Sequence, residues 1–299
     1  MSTQPVTDSS PWPTASDAAR LIGHLESLLG REGIAEDYVR LRIELLRAQA
    51  DALETLAEAP PPLPSPGVDE GPPLVRFAPM SVDPGVARAL FARVAAACVA
   101  RAREGTGLRR FERAVEDKRD LLDELVRFAA VPDEWPFAGL AERLDVPVEV
   151  LLLVARVTAA PLVTDTARRL IGAGNLPRSS KGNCPVCGAA PGLAELRADD
   201  GARVLHCSLC GHAWPFGRLD CPICVGRDPM GIEKLSVEGD PARWIEACRP
   251  CRRYLKTVDR RELPPGPFFP LVEEVAGLYF DLLAAREGWL PGPPYAAVR

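Results

Sequence analysis

Cysteine is the residue type whose spacing in this chain points most directly to chemistry. Eight of the nine cysteines lie between residues 184 and 251, and they form four Cys-x-x-Cys pairs. Two residues between two thiolates let both sulfurs reach one metal ion about 2.3 Å away, which leaves two tetrahedral positions for a second pair. Four such pairs therefore predict two complete four-thiolate metal sites.

An internal repeat indicates which pairs share a metal ion. Each half of the region has the order Cys-x-x-Cys pair, predicted strand, glycine-containing turn, predicted strand and Cys-x-x-Cys pair. The first two pairs are separated by 19 residues (188–206) and the last two by 23 (225–247). A hairpin returns its closing pair to its opening pair, and the interleaved, cross-braced pairing is the alternative. We therefore assign site 1 to Cys184, Cys187, Cys207 and Cys210, and site 2 to Cys221, Cys224, Cys248 and Cys251.

Closed four-thiolate sites predict a structural role for the metal ions. Such a site has no open coordination position for catalysis, and metal binding supplies folding free energy. The competing interpretation is that some pairs are reversible dithiols, but the strand-then-helix context of a thioredoxin-like motif is missing. His206 and His212 flank the second pair and are not needed as ligands. Four thiolates suit iron and zinc alike, so the spacing leaves the metal open.

The motifs of common enzyme classes do not accompany the cysteines. The chain lacks a phosphate-binding loop, a dinucleotide-binding fingerprint, a nucleophile elbow and a His-Glu-x-x-His motif. It contains three histidines, which leaves few candidates for acid–base catalysis. We therefore expect a protein that is not an enzyme.

Charge argues against nucleic acid as the partner. The chain has a formal net charge of −5, and residues 181–261 contain 13 Lys and Arg against 10 Asp and Glu. Eight thiolates outweigh that small excess even with two divalent ions bound, so the surplus needed to track phosphates is absent. We instead interpret the remaining basic cluster as a surface for an acidic protein partner. It comprises Arg243, Arg249, Arg252, Arg253, Lys256, Arg260 and Arg261.

The elements that precede the cysteine region are predicted to be helices. The apolar share is 47% with only 6% aromatic residues, so the core must be built mainly from Leu, Val and Ala. Apolar spacing, caps and breakers predict helices over 16–29, 34–57, 84–98, 108–131, 148–160 and 164–171, and no strand-like alternation before residue 184.

The chain therefore divides into a helical part and a cysteine part. We expect a disordered tail over 1–15 and a helical domain over 16–178 that contains a stiff proline-rich linker at 59–73. Two small metal-binding modules of the zinc-ribbon type follow, over 181–217 and 218–262. A C-terminal helix over 267–288 is predicted to pack back on the helical domain.

Neither a secretory signal nor a membrane span is predicted. Residues 1–16 are polar and lack an apolar h-region. The most apolar run, 146–163, contains Pro147, Glu149, Arg156 and Pro161, and we interpret it as a core helix. We expect a cytoplasmic protein without membrane insertion, in a compartment where paired cysteines bind metal more often than they form disulfides.

The short segment between the two modules supplies candidate partner-binding residues. Trp214, Phe216 and Arg218 are of the types that dominate interface hot spots. The alternative is that Trp214 and Phe216 only pack one module against the other, which would leave the partner surface on the helical domain or around Arg252.

The cysteine frame and its flanking residues resemble the FdhE family of formate dehydrogenase accessory proteins over roughly residues 180–290. Two positions depart from the family pattern, since Val225 replaces a glycine after the third pair and Arg252 follows the fourth. The matching stretches are Cys184-Pro-Val-Cys-Gly, Leu205-His-Cys-Ser-Leu-Cys-Gly-His-Ala-Trp, Arg218, Cys221-Pro-Ile-Cys, Cys251-Arg-Arg-Tyr-Leu-Lys and Asp281-Leu-Leu-Ala-Ala-Arg-Glu-Gly.

The resemblance implies a helical N-terminal domain followed by two tandem rubredoxin-like modules, with iron in the thiolate sites and zinc as the alternative. It also implies a cytoplasmic assembly factor that binds the catalytic subunit of formate dehydrogenase during maturation. A second hypothesis from a different class is a rubredoxin-like electron-transfer or thiol-switch protein that acts on the same client. The oligomeric state stays open.

Overall fold

The computed structural model describes residues 15–31, 33–60, 84–101, 107–129, 135–172, 182–226 and 228–292. The predicted tail up to residue 14 and the predicted linker from residue 61 lie outside the described residues. The described residues form two regions, which are a helical half up to residue 172 and a sheet with two terminal helices from residue 191 onward.

The regular elements of the described chain before residue 182 are all helices, as the apolar spacing predicts, although the helix over Trp135–Leu144 was not predicted. All but the first pack around a shared core of Leu, Val, Ala and Phe side chains, and the first packs against the second in a separate cluster. They are α1 (Ala15–Glu26), α2 (Glu36–Glu58), α3 (Pro84–Val99), α4 (Leu108–Asp117), α5 (Arg119–Phe128), α6 (Trp135–Leu144) and α7 (Val148–Gly172).

Helix α7 is the central helix of this core and corrects the sequence prediction. The predicted break near Pro161 is wrong, because the helix continues through that residue to Gly172. A proline in a helix leaves the carbonyl four residues earlier without its N–H donor. Here that carbonyl belongs to Val157, and the buried Gln49 side chain donates to it at 2.9 Å. The tertiary contact thus replaces the missing backbone hydrogen bond.

Among the described residues, α7 is also the one helix that is long and apolar enough to cross a membrane by length and composition. Its most apolar window is 83% buried inside the protein. Its apolar side chains are therefore accounted for by packing against the helices around it.

The predicted single helix over 108–131 is instead two helices. Lys118 adopts extended backbone angles between α4 and α5, with φ −122° and ψ 96°. Neither proline nor glycine marks this break in the sequence. The change of direction lets Phe111 and Val115 of α4, and Leu122 and Val126 of α5, all reach the same core. Tertiary packing therefore overrides local helix propensity here.

The cysteine half folds around one mixed sheet with the strand order β3-β2-β1-β6-β5-β4, and β7 pairs with β6. The two predicted modules meet in this sheet, because β1 of the first pairs in parallel with β6 of the second. The strands are β1 (Pro191–Leu196), β2 (Arg203–Cys207), β3 (Ala213–Pro215), β4 (Ile232–Ser236), β5 (Arg243–Cys248), β6 (Arg253–Asp259) and β7 (Leu290–Pro291).

The predicted C-terminal helix over 267–288 is divided into α8 (Pro270–Ala276) and α9 (Leu278–Arg286) at Gly277. Val275 of α8 is buried against α1 and α2, so this part packs on the helical half. Phe280 and Ala284 of α9 are buried against β5 and β6 instead. The predicted packing on helices thus describes α8 alone, and the terminal segment holds both halves together.

A buried arginine also joins the helical half to the sheet. Arg156 of α7 is 6% exposed. Its guanidinium donates from Nη1 to the Ala129 carbonyl oxygen at 2.6 Å and from Nη2 to the Ser208 hydroxyl at 2.7 Å. Ser208 in turn donates to the carbonyl oxygen of Ala190 at 2.7 Å. Since Ser208 lies between two cysteines, the network fixes the second Cys-x-x-Cys turn against α7.

We expect Arg156→Met to lower the free energy of unfolding by about 2 kcal/mol, because it leaves buried acceptors without a donor. Urea unfolding of the metal-loaded protein, followed by circular dichroism, measures this loss. The control is Arg113→Met, which removes an exposed guanidinium whose one acceptor among the described residues is the Arg109 carbonyl. An equal loss in both variants would show that the network contributes nothing.

Candidate metal centres

The first two cysteine pairs converge on one point between the β1–β2 hairpin and α7. The Cys184 and Cys210 sulfurs are 3.7 Å apart, and those of Cys187 and Cys207 are 3.4 Å apart. All four sulfurs lie within 4.8 Å of one another. Metal–sulfur bonds of about 2.3 Å place tetrahedral ligands about 3.8 Å apart, so this group matches the ligand shell of a single ion.

The last two pairs form a second group of the same kind. The Cys221 and Cys251 sulfurs are 3.8 Å apart, and those of Cys224 and Cys248 are 3.7 Å apart. The structure therefore brings together the sequential pairs, and the cross-braced arrangement is not the one observed. The hairpins predicted from the internal repeat are present: β1–β2 and β4–β5 each bring the second cysteine pair of a unit back to the first.

All four Cys-x-x-Cys turns end in the same left-handed backbone conformation. The φ angles are 80° at Gly188, 67° at Gly211, 56° at Val225 and 58° at Arg252. Glycine adopts this conformation without strain, whereas side chains with a Cβ atom pay a penalty. Val225 and Arg252, which stand where glycine would be unstrained, thus adopt the same turn in site 2 with some backbone strain.

Arg252 has interactions that offset this strain. Its guanidinium lies 4.0 Å from the ring centroid of Trp289 and donates to the Gly288 carbonyl oxygen at 3.2 Å. These contacts fix the turn that follows α9. Val225 is 47% exposed and has no comparable anchor in the described structure. Arg252, one of the predicted partner-binding residues, is therefore already engaged within the chain.

In the absence of a metal ion, the four sulfurs of each group cannot all be thiolates at neutral pH. Burial raises the pKa of the Cys184 and Cys210 thiols well above their usual value. In site 2, hydrogen bonding from Cys251 lowers the pKa of Cys221 to about 5, while burial raises the pKa of Cys248 to about 11. Without a metal ion, only some of the thiols in each group are deprotonated, and a central cation is needed to hold four thiolates together.

The donor set fits a thiophilic metal ion. Eight sulfurs without oxygen ligands suit zinc or iron and do not suit magnesium or calcium. Both groups offer four donors, which fills a tetrahedral shell. The geometry therefore supports two metal ions per chain and is the same for iron and zinc.

The two sites differ in their access to solvent. Every cysteine of site 1 is buried, and its knuckles belong to the same apolar cluster as α7. In site 2, Cys224 is exposed and Cys251 is half-buried. A metal ion in site 1 would therefore be shielded from solvent, whereas one in site 2 would be reachable along at least two of its sulfurs.

Neither histidine beside the second pair lies in a sulfur group. The buried His206 Nε2 is 2.7 Å from Glu195 Oε2, and Arg260 approaches the other oxygen of that carboxylate at 3.1 Å. The His212 ring stacks on Trp214, with 6.3 Å between the ring centroids. Burial lowers the pKa of His212. The His206 ring thus hydrogen-bonds to Glu195, and the His212 ring stacks on Trp214, both within the first hairpin unit.

The predicted partner-binding aromatics are mostly internal. Trp214 is 3% exposed and lies in the main core, and Phe216 is half-buried against that core beneath the Arg203 guanidinium. The packing alternative therefore accounts for both rings. Arg218 is exposed and donates to the Gly201 carbonyl oxygen at 3.3 Å, so it alone of the three lies at the surface.

Sequence reasoning missed the ion pair that ties the two hairpin units together. Arg203 of β2 pairs with Glu246 of β5 at 2.7 Å. The same guanidinium donates to the carbonyl oxygens of Gly217 and Asp220, at 3.1 and 2.9 Å. An arginine opening an otherwise apolar strand was the available signal, but its partner lies 43 residues away in the sequence.

Comparisons with known proteins agree with the motifs of the cysteine region. Residues 183–218 match a family model described as "FdhE, central domain". The chain is 30% identical over 109 residues to "Protein FdhE homolog" of Haemophilus influenzae strain PittGG, which is 36% of this chain and 35% of that protein. It is 32% identical over 114 residues to the protein of the same name from Aquifex aeolicus, which is 37% of this chain and 39% of that protein. The chain thus spans little more than a third of the length of these curated relatives.

The whole fold also has a counterpart among solved structures. The crystal structure of the FdhE protein from Pseudomonas aeruginosa matches with a TM-score of 0.62 over 95% of this chain and 96% of that one. The sequences are 24% identical, so this likeness shows the fold. It confirms the predicted class of a helical N-terminal region followed by two four-cysteine, ribbon-like units.

We expect Val225→Gly to raise the free energy of unfolding by about 0.5–1 kcal/mol, because relief of left-handed strain exceeds the entropic cost of glycine. The matched control is Val237→Gly, since Val237 is also partly exposed, at 39%, but does not adopt positive φ. Urea unfolding should show stabilisation in the first variant and destabilisation in the second. Destabilisation by both would contradict the strain argument.

Metal should leave site 2 before site 1. A chelator reaches the exposed Cys224 sulfur directly, whereas site 1 requires local unfolding, and we expect its release to be at least about tenfold slower. Metal analysis during chelation should show a stable intermediate with one ion per chain. Iodoacetamide labelling and mass spectrometry identify the vacated site, and earlier labelling of Cys184–Cys210 than of Cys221–Cys251 would contradict the prediction.

Proposed function

We propose, from the premise that the family model, the curated relatives and the solved structure support an FdhE family protein, that this chain is an accessory protein for formate dehydrogenase. In this proposal it binds the catalytic subunit of that enzyme in the cytoplasm during maturation. It acts by binding and not as an enzyme. Its eight paired cysteines hold two metal ions, iron by the family resemblance and zinc as the alternative.

The observation that carries this proposal is the pair of closed sulfur groups within this fold. Four cysteine ligands complete a tetrahedral shell, so neither site has a free position at which a substrate could bind. The sites instead organise a sheet from hairpins that are too small to be stable alone. A rigid, metal-stabilised surface next to a helical half is what a binding protein for another polypeptide requires.

We also propose the domain division predicted from the sequence, with a helical domain over 16–178 and metal units over 181–217 and 218–262. The separate hairpin and sulfur group in each unit support it. The parallel β1–β6 pairing makes the two units one body in the assembled chain.

A redox role on the same client is the second candidate function. The exposure of Cys224 favours it, because an iron ion in site 2 would have a sulfur ligand at the protein surface. A reversible change in visible absorbance on mild reduction, matched by a change in client activity, would support this role. Unchanged client binding by protein with colourless metal sites would support the structural role.

The test of the proposed function is capture of purified formate dehydrogenase catalytic subunit by the tagged chain, after anaerobic purification and metal analysis. We expect capture by the metal-loaded protein and its loss after chelation of both ions. Cys98→Ser serves as a control, because Cys98 is buried in the helical core outside both sulfur groups. A metal-loaded chain that captures no catalytic subunit would contradict the proposal.

A further inference from the structure

A cleft of about 470 Å³ opens beside the segment that joins the two hairpin units. Arg218 and Leu219 of that segment form one part of its lining. Lys234 of β4, Trp244 of β5 and Arg261 of the turn after β6 also line it. None of these residues belongs to a sulfur group, so the metal sites leave the cleft without a role.

Two of the carboxylates that line the cleft are already paired with arginines of the same chain. Glu246 pairs with Arg203 at 2.7 Å. Asp259 accepts hydrogen bonds from Arg261 at 2.6 and 2.8 Å. The Arg261 guanidinium holds the pKa of Asp259 below its usual value, so this pair stays ionised at neutral pH. These four charges therefore balance within the protein.

Two cations of the cleft lack such a partner. In the described parts of the chain, neither Arg218 nor Lys234 has a carboxylate within salt-bridge distance. The Arg218 guanidinium donates only to a backbone carbonyl, and the Lys234 ammonium lies 3.8 Å from the ring centroid of Trp244. The remaining lining carboxylate is the exposed Glu262. Because Arg203 lies behind the lining and compensates Glu246, the cleft keeps one net positive charge when Glu262 is included.

Apolar surface lies beside these cations. Leu219 follows Arg218 directly and is 58% exposed, which makes it one of the most exposed large apolar side chains in the described structure. The Trp244 indole is only 6% exposed, and it lies under the Lys234 ammonium at the base of the cleft, where it holds that cation in place. Arginine is enriched at the centre of protein interfaces, and the exposed Leu219 beside Arg218 gives a partner apolar surface to cover.

The strand beside the cleft can also pair with another chain. β4, which carries Lys234, is an edge strand of the sheet, so one row of its backbone groups is not paired within the described residues. An extended peptide can add to such an edge while its side chains occupy adjacent pockets. An extended partner segment would therefore gain backbone hydrogen bonds together with side-chain contacts.

We propose that this cleft binds an extended segment of the client protein that carries an acidic side chain next to an apolar one. The proposal rests on the proposed function and adds the position and chemistry of its docking site. The acidic group pairs with Arg218 and Lys234, and the apolar group covers Leu219. Protein is the occupant because the chain is acidic overall and because a free strand edge matches a polypeptide backbone.

Photo-crosslinking locates the occupant directly. p-Benzoylphenylalanine is placed at Leu219 in the full metal-loaded chain, and the control carries it at Leu282, which is exposed to a similar extent, 61%, on α9. With purified catalytic subunit, we expect a crosslink from position 219, mapped by mass spectrometry to an acidic segment. A crosslink to nucleic acid or to a second copy of this chain, or equal crosslinks from both positions, overturns the proposal.

Charge variants test the same contact by affinity. We expect Arg218→Glu to weaken capture of the catalytic subunit about tenfold and Lys234→Gln to weaken it several-fold, with metal content and melting temperature unchanged. The matched controls are Arg109→Glu and Lys118→Gln, two exposed positions on the helical half. Wild-type affinity in both cleft variants overturns the docking site while capture itself persists. Absence of capture by the unaltered chain contradicts the proposed function as well.

Discussion

The constraint on which the C-terminal half depends is the mutual repulsion of four thiolates held within van der Waals distance. Sulfurs 3.4–3.8 Å apart cannot all be ionised in a buried site unless a cation lies between them. A cation bound there would stabilise the turns, and the turns bring their hairpins together. Because a metal ion would bind the folded arrangement far better than the unfolded chain, its binding free energy would become folding free energy.

Contacts outside the sulfur groups join the two small hairpin units to each other and to the helical half. The β1–β6 pairing joins the two hairpins edge to edge, and the Arg203–Glu246 ion pair holds the connecting segment across that junction. Arg156 ties the first metal site to the helical core, and α8 and α9 close the other side. Site 1 thus lies inside the molecule, while site 2 stays at its surface beside the proposed docking cleft.

The metal groups were predictable because their information is local in sequence. A Cys-x-x-Cys turn specifies its own geometry, and a hairpin between two such turns specifies which pairs meet. The long-range features were not predictable in this way. The helix through Pro161 requires Gln49, which lies 108 residues away, and the parallel β1–β6 pairing leaves no periodic signal. The break at Lys118 is likewise set by the shared core and not by a helix-breaking residue.

The exposure of the predicted partner-binding residues could not be predicted from the sequence either. Residue type predicts that Trp214, Phe216, Arg218 and Arg252 can form an interface, but type does not show which way they face. In the fold, the two aromatics and Arg252 satisfy contacts within the chain, and Arg218 remains at the surface. The cleft beside it depends on Lys234 and Trp244, which the folded sheet brings close to Arg218 although they are distant from it in sequence.

The most direct test of this account is the metal-to-protein ratio of single cysteine variants purified anaerobically. Cys184→Ser and Cys248→Ser each remove one ligand from a different sulfur group. The account predicts two ions in the unaltered chain, one ion in each single variant and none in the double variant. Retention of both ions by either single variant would contradict the assignment of two independent four-thiolate sites.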